Sequence, residues 1–516
     1  MEENRGENRP LSQLLSAIPA PWMAFAGALL AGLAAHGMGM LNKYSWHDDI
    51  QGLFLTGATI TSGRWMLHVL GWLEVLLFGD GHFSLPLVNG LVSLICIGLS
   101  AGCMARMLRI RSRGLSALMG GGMSVFPVIT ALFGFTFTIH YYMISLLMMT
   151  CGAYLILEGR GGLRKTAGAL LGGCAVGIYQ AFLPVGLALI LLWNIVRLTE
   201  GEEAGEAWKR LGIHALCFLG MLAVYAAGSR LFLTLHHLEL DSYMGLSQAG
   251  SLSPLVYLQR MGRAWREFFL PTRNVLWDMY PQHIYYLRQG MLLLTAALSV
   301  RCLIRAWKQS RGTALLLLLL LAAFPLACNL IFVLSEEVHS LMTYGQVMQL
   351  ALLICLADRT EFSPAKIRRI VPRAAALLLS LTFLMYVRFD NQCYLKAEFQ
   401  QQEAITWYTA LISKIKSAEG YRDELPVIWR NMEEMDDQTL YNMDELNFLH
   451  LSGYEQDVRG YVSNWAWEWF LARWCGFSTA VLPPETADDW PEVREMPHYP
   501  DDGSIRVLHD AVVVNF

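Results

Sequence analysis

Two neighbouring carboxylates, Asp48 and Asp49, close the stretch Tyr44-Ser45-Trp46-His47-Asp48-Asp49, which follows an apolar run from Pro21 to Leu41. At about 1.5 Å rise per residue such a run crosses a bilayer. The acids and His47 therefore stand just past a membrane exit. Fifteen residues after Asp49 comes Gly63-Arg64-Trp65, a fixed cation beside an aromatic. A carboxylate can take the proton of an attacking hydroxyl, and an arginine fork can hold a phosphate. Together at a membrane surface they suit chemistry on a lipid phosphate, with His47 supporting either group. The plainer reading is that acids at a helix exit are solvated and that Arg64 snorkels or stacks on Trp65.

Further groups could join them. The segment 236–287 carries His236, His237, Glu239, Asp241 and Tyr243, then Arg260, Arg263 and Arg266 at a spacing of three, which puts the arginines on one helical face as second choices for the phosphate. Ser251-Leu252-Ser253-Pro254 reads as the start of that helix. Glu336, Glu337 and His339 form a short charged loop, which either lines the site or terminates a helix. Tyr179 and Gln180 make a polar turn inside Gly177-Ile178-Tyr179-Gln180-Ala181. His140-Tyr141-Tyr142 reads as an interfacial aromatic anchor. Glu433-Glu434-Met435-Asp436-Asp437 lacks the alternating ligands of a calcium loop and reads as a solvated surface. Trp465, Trp467, Trp469 and Trp474 are either core or a sugar-stacking platform.

The elements that must position these groups are membrane helices. Of 516 residues 54% are hydrophobic and 16% charged, with mean hydropathy +0.37, against about 25% charged in soluble domains. Apolar runs predict eleven spans, at 20–41, 84–105, 115–138, 141–157, 166–180, 182–198, 211–235, 288–304, 313–334, 340–357 and 372–388. The first run lacks a small-residue cleavage site and reads as a retained helix. Lys and Arg clusters such as Arg106/Arg109/Arg111/Arg113 and Lys366/Arg368/Arg369 then fall inside, with the N-terminus inside and the tail outside. Met66 to Phe78 is too short to cross and joins an outer loop, 42–83, as interfacial helix. The second outer loop is 236–287.

From Asp390 onward 9 Lys and Arg face 23 Asp and Glu, so an acidic tail hangs on a basic membrane body. This divides the chain into a membrane part, 1–389, and a small extracytoplasmic α/β domain, 390–516. In the tail Leu395 to Ile415 has helical periodicity, Leu425–Trp429 and Ala480–Leu482 read as strands, and Ser504–Leu508 with Ala511–Val514 reads as a hairpin turning at His509-Asp510. Cys393 and Cys475 could pair if the tail is outside. The other cysteines lie in or beside apolar runs and no Cys/His spacing suggests a dedicated metal site. Basic residues confined to short loops exclude a nucleic-acid binder.

An apolar first helix, the acidic pair in the first outer loop, a later Gly-Arg-Trp, and Gly177-Ile178-Tyr179-Gln180-Ala181 between close-set spans resemble the GtrII-type glucosyltransferases of bacterial envelopes. These belong to the membrane glycosyltransferases of C-type fold. The resemblance covers about residues 1–390. It implies a polyprenyl-phosphate sugar donor, commonly undecaprenyl-phosphate glucose, and transfer of the hexose to an envelope polysaccharide on the outer face of the cytoplasmic membrane. It matches Asp48 or Asp49 to the acidic motif that supplies the base, with inversion, and leaves open which of the two acts. It also leaves open a divalent cation, Mg or Mn, recruited by the pair.

Other classes remain. A lipid-linked glycan flippase or transporter predicts charges lining a path within the spans, whereas here the charges cluster in loops and no internal repeat is found. An acyltransferase would need a nucleophile or an embedded histidine motif, and none stands out. A glycan polymerase would also use outer-loop arginines. A non-catalytic scaffold would tolerate alanine at both aspartates.

Overall fold

The computed structural model describes residues 18–44, 48–51, 56–79, 84–241, 253–271, 282–359, 365–435, 451, 454 and 466–516. The chain divides into two compact units, one of residues 1–41 and 54–391, the other of 42–53 and 392–516.

In the first unit the helices run α1 (Ala20–Leu41), α3 (Thr56–Thr61), α4 (Trp65–Phe78), α5 (Pro86–Met107), α6 (Arg113–Val125), α7 (Pro127–Phe133), α8 (Thr136–Glu158), α9 (Gly162–Ile178), α10 (Leu183–Thr199), α11 (Ala204–Leu235), α12 (Pro254–Phe269), α13 (Gln282–Gln309), α14 (Arg311–Cys328), α15 (Ile331–Leu334) and α16 (Met348–Arg359); α2 (Asp48–Gln51) belongs to the second unit. A last helix, α17 (Ala365–Ser417), supplies residues to both units. Among the described residues nine helices are long and apolar enough to cross a membrane. The chain is a multi-pass membrane protein.

The difference from eleven expected spans lies at two places. The run 166–180 forms α9, of 17 residues, at the lower limit of spanning length. The run 340–357 breaks into two 3-10 turns, Ser340–Met342 and Tyr344–Val347, before the 12-residue α16. A break was also expected near Asp390, yet α17 runs 53 residues without one. No glycine or proline stands between Pro372, near its start, and Gly420, just past its end, so nothing in the backbone stops it.

Helix packing here rests on small side chains. α1 lies against α5 and α6, and a Cβ on Gly120 would come within 1.8 Å of the Ala24 carbonyl oxygen. Lipid provides no hydrophobic drive between helices, so close backbone approach and van der Waals contact must hold them. Polar side chains inside the unit bond to backbone: His36 Nε2 to the Ser124 carbonyl at 2.7 Å, and Tyr344 Oη to that of Met123 at 2.7 Å.

The second unit holds β1 (Val427–Arg430), α18 (Trp467–Trp474), β2 (Val481–Leu482), β3 (Ile505–Leu508) and β4 (Ala511–Asn515). The sheet order is β2-β1-β4-β3, with β1 parallel to β2 and β4, and β3 antiparallel to β4. Alternation along the strands makes two cores. Val427, Trp429, Val512 and Val514 meet Tyr408, Leu411 and Ile415 of α17 and Phe470 of α18, while Ile428, Ala511 and Val513 meet Val493 and Met496. His509 and Asp510 have φ of 47° and 57°, the left-handed pair that a tight two-residue hairpin turn requires.

No disulfide joins the two tail cysteines. Cys475 joins the core around Tyr408, and Tyr408 lies about 22 Å up the helix from Cys393 at 1.5 Å per residue. A disulfide spans less than about 7 Å between Cα atoms. Burial also pushes the Cys475 thiol up to about 11.

Candidate active site

A pocket of about 110 Å³ opens in the first unit, lined by Ser62, Arg64, Tyr179, Gln180, Asp241 and His339, with Ile331, Leu334, Leu341 and Met342 as its apolar wall. Trp65, next to Arg64, anchors this stretch of chain. The indole lies where a Cβ on Gly177 of α9 would stand 2.7 Å away and one on Gly228 of α11 only 2.3 Å away. Two glycines thus seat the tryptophan, and Phe232 packs on it at 5.6 Å between ring centres. Gly63, at φ 73°, turns the chain so that Arg64 caps α4 immediately before this anchor.

The Gly-Ile-Tyr-Gln-Ala stretch is the break between α9 and α10. Tyr179 is extended, and Gln180–Phe182 form one 3-10 turn. The Tyr179 ring stacks on Tyr142 with centres 4.1 Å apart, and its hydroxyl donates to the Leu341 carbonyl at 3.2 Å. The Arg64 guanidinium lies 5.5 Å from the Tyr179 ring centre and 5.9 Å from that of Tyr142, and its Nη1 donates to the Tyr142 hydroxyl at 3.1 Å. Gln180 Nε2 donates to the Ser62 carbonyl at 2.9 Å and the Tyr225 hydroxyl at 3.3 Å. The Asp241 amide donates to the Thr61 carbonyl at 2.9 Å, which brings the segment after α11 back to the turn before Arg64.

The remaining predicted groups fall elsewhere. Arg260 and Arg263 on α12 both reach Glu336: Arg260 Nη2 lies 3.7 Å from its carboxylate, and Arg263 Nη1 donates to its carbonyl at 3.0 Å. Arg266 does not share their partner; it pairs at 3.0 Å with the buried Glu267 beside it. Glu337 is exposed, and its carbonyl accepts from the Ser335 hydroxyl at 2.6 Å.

Asp48 and Asp49 open α2 in the second unit, where α2 packs on α18. Asp49 is fully buried and paired with Lys43, whereas Asp48 is only half-buried. The Lys43 carbonyl accepts from Gln401 at 3.1 Å, and Tyr44 stacks on Tyr394. Burial, then Glu398 beside it, pushes the Tyr44 phenol well above its ordinary value. His47 and Tyr243, like Ser251, Leu252, Trp465, Asp436 and Asp437, lie outside the described residues.

A family profile described as Glucosyl transferase GtrII matches residues 37–350, more than half of the chain. The chain belongs to that family. Comparison with curated proteins and with solved structures gives no match. The matched range contains the pocket residues, the α12 arginines and the aspartate pair, and stops before α17. This GtrII family member is therefore a glycosyltransferase with a glucosyl-transfer role.

Sequence reasoning missed two residues of this GtrII protein. Tyr142 is buried against Arg64 rather than anchoring an interface, and Tyr141 beside it is buried as well. A tyrosine pair opening the expected span 141–157 was the signal. Asp390 is fully buried in α17 with Thr130 beside it, and neither carboxylate oxygen makes a well-aligned hydrogen bond among the described residues. A fully buried carboxylate in a helix long and apolar enough to span a membrane is a functional candidate, and only its position between Phe389 and Asn391, in a mostly apolar stretch, could have suggested it.

Chemically, the pocket offers a guanidinium held against a stacked tyrosine pair, a carboxamide, an imidazole and an apolar wall. That set suits a phosphate carrying a hydrocarbon. Among the described residues no three His, Cys, Asp or Glu side chains gather as a cation site. A Mg or Mn ion at Asp48 and Asp49 would compete with the Lys43 ammonium for Asp49.

Proposed function

We propose that the protein transfers glucose from a polyprenyl-phosphate donor to an envelope polysaccharide on the outer face of the bacterial cytoplasmic membrane. The observation that carries this reading is Arg64, held against a stacked pair of tyrosines in a pocket with one apolar wall, in a chain of the glucosyl transferase GtrII family.

The acceptor hydroxyl attacks the anomeric carbon from the side opposite the phosphate, so the configuration inverts. The new bond joins acceptor oxygen to C1. The bond from C1 to the phosphate oxygen breaks, its electron pair leaves with the lipid phosphate, and the acceptor proton passes to a carboxylate. Arg64 meets the charge that grows on the phosphate, where a fixed cation is most effective. Gln180 and His339 hold sugar or phosphate oxygens. Of the two aspartates, Asp48 is the base, because its side chain reaches solvent. Asp49, buried on Lys43, positions the turn that carries it. Arg260 and Arg263 with Glu336 bind lipid headgroups around the donor.

The test is turnover of radiolabelled undecaprenyl-phosphate glucose by the purified full-length protein in detergent. Expected is acceptor-dependent transfer, abolished by Asp48→Ala and strongly reduced by Arg64→Ala in folded protein. Tight binding of several lipid-phosphate sugars with no turnover would instead favour a flippase, and full activity in Asp48→Ala would remove that residue as base.

A further inference from the structure

A second pocket, of about 260 Å³, lies in the unit formed by residues 42–53 and 392–516, and none of the residues given a role in transfer lines it. One wall is the outer face of α18, with Glu468, Trp469 and Ala472; the other is the lead into the edge strand β2, with Ser478, Thr479 and Val481; Trp429 of β1, Leu471 and Phe477 complete the lining. We propose that this is a saccharide-binding pocket, made for a neutral sugar ring.

Its residue types argue for this ligand. A pyranose has an apolar face of C–H groups and a rim of hydroxyls. It is recognised by an aromatic face with a few donors and acceptors around it. Trp469 is 42% exposed, the most open of the described tryptophans in this unit's α18, whereas Trp467 is buried in the core. Arg473 lies over its ring at 5.3 Å and so fixes the side chain. Glu468 and the Ser478 hydroxyl are exposed beside it as an acceptor and a donor.

The decisive group is Trp429. Its ring is 5% exposed, wedged edge-on against Trp467 and stacked on Phe516, yet its indole N–H has no hydrogen-bond partner among the described residues. A buried indole N–H normally finds an acceptor; Trp429 lines this pocket, and a ligand hydroxyl reaches its N–H once the ring shifts on binding. Charge selects the ligand further. Glu468 lines the pocket, and the chain from Asp390 on carries 23 acidic against 9 basic residues, which disfavours anionic glycans and leaves neutral ones. The volume, just under the roughly 300–1,000 Å³ of small-ligand sites, suits one ring of a longer chain that continues into solvent. That the ring belongs to the acceptor polysaccharide rests on the glucosyl-transfer reading; saccharide binding itself does not.

The experiment is saturation-transfer NMR on the full-length protein in a detergent without a sugar headgroup. The probes are methyl α- and β-glycosides of glucose, galactose, mannose and rhamnose, with maltotriose and cellotriose. At least one of these saccharides should receive saturation. Trp469→Ala should weaken its binding at least tenfold, and Trp429→Phe, which keeps the ring and removes the N–H, should weaken it several-fold. Neither change should alter the unfolding temperature by more than a few degrees. If no probe binds, or if binding is unchanged in both variants, the pocket is not a saccharide site. Glucose release from undecaprenyl-phosphate glucose is followed on the same preparations. Binding without release would overturn the transferase reading and keep the pocket, whereas release without binding would do the reverse.

Discussion

The helices α8 and α10 each have two ends that treat arginine differently. At one end Tyr142 and the turn before Leu183 frame Arg64, which meets a hydroxyl and two aromatic faces. About 24 Å along α8, at 1.5 Å per residue, Glu158 begins a belt in which the arginines meet carboxylates. Arg109 lies 3.8 Å from Glu158 and 3.9 Å from Glu200; Arg359 bonds Glu200 at 3.1 Å; Arg197 lies 3.6 Å from Glu202, which also holds Arg210. Trp193 ties the ring together by donating to Glu158 at 2.8 Å and lying under Arg197 and Arg210. Asp358 accepts from the amides of Arg111 and Ser112 at 2.8 and 2.9 Å, closing the turn before α6. The same residue type is a brace at one end and a pocket residue at the other. What distinguishes them is their surroundings: Arg64 lines a cavity that a ligand can enter, whereas the belt arginines brace carboxylates of neighbouring helices.

Substitutions at the two ends should therefore fail in different ways. Arg64→Ala should have the largest effect, lowering kcat by about 10²–10³ as for loss of one preorganised donor to a developing charge, with an unfolding curve close to the parent. Arg64→Lys should recover only part, because an ammonium lacks the planar fork. Rates that fall in proportion to folded protein would instead make Arg64 a structural residue. Arg359→Ala should do the opposite. Its side chain is 7% exposed, and removing it should cost about 2 kcal/mol, read as a lower midpoint in thermal unfolding in detergent, with turnover per folded molecule unchanged. Asp358→Ala leaves two amides without their acceptor and should cost about 1–2 kcal/mol, again without a change in KM. The smallest shift is expected for Tyr142→Phe. It keeps the stacking on Tyr179 and loses one hydrogen bond to Arg64, worth about 1 kcal/mol, so kcat should fall about fivefold. An unchanged kcat would mean that the rings alone hold the guanidinium.

Much of the scaffold was legible in the sequence because apolar run length is a one-dimensional property. Gly63-Arg64-Trp65 and Gly177 to Ala181 were also visible, and the reason they go together is now physical: Trp65 rests on Gly177, and Gln180 bonds the residue two before Arg64. What the sequence hid depends on contacts between distant segments. Tyr142 looked like an interface anchor because its partner, Arg64, is 78 residues away. The three α12 arginines look equivalent at spacing three, but Glu336 and Glu267 divide them. Asp48 and Asp49 read as one motif, and burial on Lys43 separates the second from the first. The unbroken α17 was hidden by its change from apolar to polar composition near Asp390, which alters its surroundings without altering its backbone.

During insertion, lysines and arginines near the ends of spans set which way a chain faces, while acidic residues contribute little. Arg109, Arg197 and Arg210 lie near span ends, Arg359 closes the 12-residue α16, and all four finish in ion pairs. In the nascent chain, before Glu158, Glu200 and Glu202 have come together, these arginines act as unpaired orientation signals. In the folded protein their charge is largely cancelled. The belt thus stores its orienting information only for as long as the chain needs it, and afterwards the same side chains serve as cross-braces between helices that entered the membrane one after another.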